Sequence, residues 1–163
     1  MSVPEIITGL LSAAVSSLGF AIVFRVRKKH LFATALGGAL CYAIYLLVAQ
    51  YVSGEFFSNF LGSLLAAIFC MICSRSLRAP VQIYLIPVLI PLFPGGSLYY
   101  AMYHLLAKDY ALFSEFIVKT LEAALGIAGG MIVGLALANS TIALVRKIRA
   151  KRANNDDGKQ SNR

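Results

Sequence analysis

The chain has 163 residues, of which 59% are hydrophobic and 13% charged, and it carries a formal net charge of +8. That length suits one domain, but the balance excludes a water-soluble globule, in which about a quarter of residues are charged. The apolar residues fall into separated blocks, each close to the roughly 20 residues that cross a hydrocarbon core. An all-α polytopic membrane protein with five transmembrane helices is therefore expected, lying in a lipid bilayer.

The first block, residues 4–24, has Pro4 where a first-turn proline is harmless and ends in R-V-R-K-K-H. No Lys or Arg precedes it and four follow, the reverse of a secretory signal, so it is expected to be retained as a helix. The second, residues 31–50, carries Gly37, Gly38 and Ala39, small residues that admit a neighbouring helix, and Tyr42, Tyr45 and Tyr51 near an interface. A polar turn with Gly54 and Glu55 leads to the third block, residues 57–74, which stops at Arg75 and Arg78. Cys41, Cys70 and Cys73 all lie inside apolar blocks, where a thiol behaves as a small hydrophobe. Cys70 and Cys73 form a C-x-x-C pair, but with no second ligand pair they are read as packing, and no metal or cofactor is expected.

The fourth block, residues 80–107, holds the stretch P-V-L-I-P-L-F-P-G-G-S-L-Y-Y at 87–100. Proline has no N–H and clashes with the carbonyl four residues back. Were the helix to continue, Pro87, Pro91 and Pro94 would free the carbonyls of Ile83, Pro87 and Ile90 along one stripe. Gly95 and Gly96 let the chain turn, and Ser97 is a good N-cap for a second half-helix. Halves of about 20 and about 15 Å, at 1.5 Å per residue, put the discontinuity near the bilayer midplane. Broken backbone at that depth is tolerated only where protein covers it or a watery cavity adjoins it. A half-helix N-terminus offers unpaired N–H groups and a partial positive charge to a carboxylate, so Gly95, Gly96 and Ser97 are candidate substrate-binding residues.

The fifth block, residues 116–145, begins beside Glu115, Lys119 and Glu122, spaced on one helical face. Gly126, Gly130 and Gly134 make a small-x-x-x-small stripe for close helix packing against block four, another copy of the chain or a second subunit. Residues 146–163 form a basic tail, expected to be disordered and cytoplasmic. His104, following Ser97 and Tyr100 at helical spacing, and Glu122 are candidates for proton coupling. Of the 15 Lys and Arg residues, all but Lys108 and Lys119 fall on one side if the five blocks cross in turn. That bias predicts an outer N-terminus and an inner C-terminus, and it accounts for the positive charge without nucleic acid.

The run P-L-F-P-G-G-S-L-Y at 91–99 resembles the P-x-x-P-G-x-x-x-Y signature of the threonine/serine exporter family, and G-F-A-I-V-F-R-V at 19–26 is similar to that family's smaller C-terminal half. The resemblance spans about residues 5–145. It implies export of threonine and serine, or of dicarboxylates such as succinate, across a bacterial inner membrane, beside a larger partner with five helices of its own. Pro91, Pro94, Gly95 and Tyr99 match the signature, while Gly96 stands where other members can hold a larger residue. A secondary exporter is thus expected; a passive channel and a membrane scaffold are the alternatives. The chain has no phosphate-binding loop, and its two histidines, His30 and His104, belong to no acid/base or nucleophile constellation, so no enzyme is expected.

Overall fold

A computed structural model of the chain describes residues 3–52 and 54–160, with side chains as far as Thr141. The described residues are helical: α1 (Val3–Val23), α2 (Lys28–Tyr51), α3 (Glu55–Leu77), α4 (Gln82–Leu89), a 3-10 turn (Ile90–Leu92), α5 (Gly95–Leu106) and α6 (Tyr110–Gln160). Among them α1, α2, α3 and the Tyr110–Thr141 part of α6 are each long and apolar enough to span a membrane. The pair Gln82–Leu92 and Gly95–Leu106 makes a fifth span, bent by 52° at its break.

The fourth span forms the core of the bundle, with Tyr84, Leu85, Val88, Leu89 and Leu92 buried, while many large apolar side chains of the other helices point outward. Ile7, Leu11 and Val15 on α1, Leu61 and Leu65 on α3, and Leu121 and Leu125 on α6 are exposed. Those other helices bury mainly small side chains, among them Ala13, Ser17, Thr34, Cys41, Ser63, Ala66, Ala67 and Cys70. Between helices in lipid, where apolar side chains gain nothing by hiding, close packing of small residues is what joins one helix to another.

The tightest of these seams lies between α3 and α6. A Cβ built on Gly126 would stand 2.5 Å from the Phe56 carbonyl, one on Gly134 would stand 2.6 Å from that of Leu64, and one on Gly130 would overlap the carbonyl of Phe60 and the Ser63 hydroxyl. The glycine stripe thus lies on the backbone of α3 and not on the fourth span. Gly126, Gly130 and Gly134 meet Phe56, Phe60 and Leu64 in ascending order, so α3 and α6 run parallel. Parallel neighbours need a return crossing between them, and residues 82–106 supply it. The bent pair is therefore a broken span, not a hairpin that leaves by the side it entered.

The last helix is longer than the span expected at 116–145, running from Tyr110 to Gln160 in its backbone. Lys, Arg and Ala are good helix formers, and extending an existing helix avoids the cost of nucleating one. Residues 161–163 of the basic tail lie outside the described residues.

Candidate functional site

The three prolines divide the work of the break unequally. Pro87 sits inside α4, and Pro91 is carried in the 3-10 turn, whose preceding residue Ile90 keeps helical angles. Only at Pro94 does the helix stop. Phe93, the residue before it, is extended at φ −60° and ψ 130°, as expected where the next proline ring crowds the helical conformation. The Ile90 carbonyl, expected to be free, accepts the Phe93 N–H at 3.1 Å because the tighter turn shortens the ladder by one residue.

The second half-helix begins at Gly95 with Pro94 as its N-cap, so Ser97 stands in its first turn and is not the cap. The Gly95 N–H donates to the Phe93 carbonyl at 2.8 Å, which takes one of the three expected anion donors out of play. Neither Gly95 nor Gly96 has positive φ, and an added Cβ at either would meet nothing within 4 Å. These glycines are thus not required by the backbone. They leave the mouth of α5 bare, and both are exposed on the surface of the single chain.

Three grooves flank the broken span. On the α1 side, Pro91 joins Glu5, Thr8, Ser12, Ser16 and Tyr42 around about 490 Å³. On the α6 side, Leu89 and Phe93 join Ala124, Ile127 and Met131 around an apolar crevice of about 300 Å³. Toward the end of the bundle holding Arg25 and Arg78, Pro87 lines a vestibule of about 540 Å³. Pro87 and Pro91 are one helical turn apart, so grooves opening from different ends of the bundle reach the same short stretch of backbone. None of the three is lined by Gly95, Gly96 or Ser97.

The remaining candidates are dispersed. Tyr99 is exposed and edge-on to Tyr100 at 5.5 Å between ring centroids. His104 stacks on Phe116 at 5.5 Å, in the seam between α5 and α6. Glu122 points elsewhere, into a groove of about 270 Å³ shared with Glu55, Ser58, Tyr45 and Lys119. Lys119 donates to Glu115 at 2.7 Å, while Glu55 accepts from the Tyr45 hydroxyl at 3.2 Å and the Asn59 amide at 3.3 Å. Among the described residues no direct hydrogen bond joins His104 to Glu122, and the two side chains lie on different neighbours.

Two features went unread in the sequence. Thr8, Ser12 and Ser16 recur every four residues and put a hydroxyl stripe on α1, a periodicity that was available but lay in a block read only for length. His30, read as part of a basic loop, opens α2 and is buried, with its Nδ1 2.5 Å from the Tyr84 hydroxyl of α4. Nothing in local spacing links residues 54 positions apart.

Four helices long and apolar enough to span a membrane, and a fifth span that is broken and flanked by grooves, define a polytopic membrane protein. The chain belongs to the threonine/serine exporter family: the family model described as threonine/serine exporter, ThrE, matches residues 9–150. No solved structure matches it.

Proposed function

We propose that this chain is one membrane subunit of a secondary exporter for small carboxylate-bearing solutes, threonine and serine or dicarboxylates such as succinate, and that it works with a second, larger membrane subunit. The observation that carries this reading is the exposed mouth of α5. Gly95 and Gly96 lie at the break between the two halves of a span and are exposed on the single chain, and irregular backbone within a bilayer is tolerated only under protein or against water. A second subunit laid over Pro94 to Ser97 would supply that cover and enclose a path past the break. The N–H groups of Gly96 and Ser97 would then face a substrate carboxylate, with the hydroxyls of Thr8, Ser12 and Ser16 available to its polar groups one helix away. Alternatively, a second copy of the chain would provide the cover.

In this reading the protein lies in a bacterial inner membrane with its N-terminus outside, its basic vestibule at the cytoplasmic face and its driving force a proton gradient. The test is efflux of labelled threonine, serine and succinate from vesicles holding this chain alone and with its larger partner. Efflux is expected with both subunits and not with one. If no small acid moves in either preparation, the exporter reading is wrong.

A further inference from the structure

The vestibule at the basic end carries an inference independent of the exporter reading. Its charged rim comes from two separate connections: Arg25 and Arg27 between α1 and α2, with Lys29 at the start of α2, and Arg78 between α3 and α4. Among the described residues no acidic side chain lines it. Its wall is apolar, and two of the wall residues, Phe24 and Ile86, are 53% and 49% exposed on the flank of the bundle. The cavity is thus cationic at its rim and apolar below, with part of its apolar wall exposed on the flank of the bundle.

The backbone adds a second observation. Arg25 has φ 53° and Arg78 has φ 50°, the left-handed conformation that ends helices and favours glycine. Of the three non-glycine residues with positive φ among the described residues, these two meet in the same cavity; the third, Lys108, lies at the other end of the bundle. Orientation in the membrane needs basic residues near this end, but not at the two positions where a side chain is least welcome. Both arginines thus stand where the backbone favours glycine, and both belong to the rim of one cavity.

We infer that the vestibule is a binding site for an anionic phospholipid, its phosphate held by Arg25, Arg78 and their basic neighbours and its acyl chains lying along Phe24, Ile83 and Ile86. Guanidinium groups match phosphate oxygens with paired donors, and basic pockets between membrane helices take acidic headgroups. A free anion would use the rim and leave the lateral apolar wall idle.

The backbone supplies a clean control. Arg25→Gly with Arg78→Gly removes both charges while giving each position the residue its φ favours, so the double variant should melt no lower than the wild type. Full-length protein in detergent is offered phosphatidylglycerol or phosphatidylcholine, and retained lipid is counted by native mass spectrometry. Each basic residue at a membrane surface is worth about fivefold in binding an anionic lipid. The wild type should therefore retain phosphatidylglycerol at least about tenfold over phosphatidylcholine, and the double variant should lose at least about fivefold of that preference. Equal retention of the two lipids by the wild type, or an unchanged preference in the double variant, would overturn the assignment. So would displacement of phosphatidylglycerol by glycerol phosphate at equal concentration, because the site would then recognise a soluble anion.

Discussion

Tyr84 has no exposed surface, and its hydroxyl is the partner of a buried imidazole on another helix. Tyr84→Phe keeps the ring and leaves His30 Nδ1 with nothing to bond. A buried polar atom stripped of its partner costs about 1–3 kcal/mol, so the variant should melt measurably lower in detergent, and an unchanged melting temperature would mean that the pair contributes nothing. Gly95 presents the opposite case. The sequence suggested that glycine here lets the chain turn, but its φ is not positive and the space around it is empty. Gly95→Val should therefore fold and reach the membrane in normal amounts. If α5's mouth meets the substrate, the isopropyl group would still stand in front of the Gly96 and Ser97 N–H groups, and efflux should fall at least tenfold. Normal efflux would remove this turn from the transport path.

At the scale of elements, the spans were legible because each is an apolar run of bilayer length between charges or turns, and the break because prolines and glycines act locally. What could not be read was assembly. The spacing of Gly126, Gly130 and Gly134 marked a packing stripe without naming its partner, since α3 is also rich in small residues and any of several surfaces would fit. The structure gives it α3, and with α3 the parallel arrangement that makes residues 82–106 a crossing. Two adjacent glycines test this seam. An added Cβ at Gly129 would lie 3.4 Å from the edge of the Phe60 ring, ordinary contact, whereas at Gly130 it would run into the Phe60 backbone. Gly129→Ala should be close to neutral in folded yield, and Gly130→Val should separate the helices and destabilise by about 1–3 kcal/mol or more. Equal yields from the two variants would contradict the seam.

Over the whole molecule, what the sequence conveyed of the candidate site was its backbone and not its surroundings. Gly95, Gly96 and Ser97 were identified from local chemistry, but whether they face lipid, water or protein depends on which helices stand beside α5, and α5 packs along α6 with its tyrosine-bearing surface outward. His104 and Glu122 were grouped by position in the chain, yet α6 presents Phe116 to His104 and turns Glu122 toward α2 and α3. One chain thus supplies a broken span and hydroxyl-lined walls, but does not enclose them. The account rests on the break being a wet, covered place in the assembled protein. Gly96→Cys, at a position with room for the side chain, tests it in vesicles carrying the chain with the proposed larger subunit. Reaction with a small water-soluble thiol reagent requires water and an ionised thiol. The account predicts that the introduced cysteine is labelled above the background of the native chain and that threonine or serine slows the labelling; a cysteine silent until the protein is denatured would place the break against lipid and contradict it.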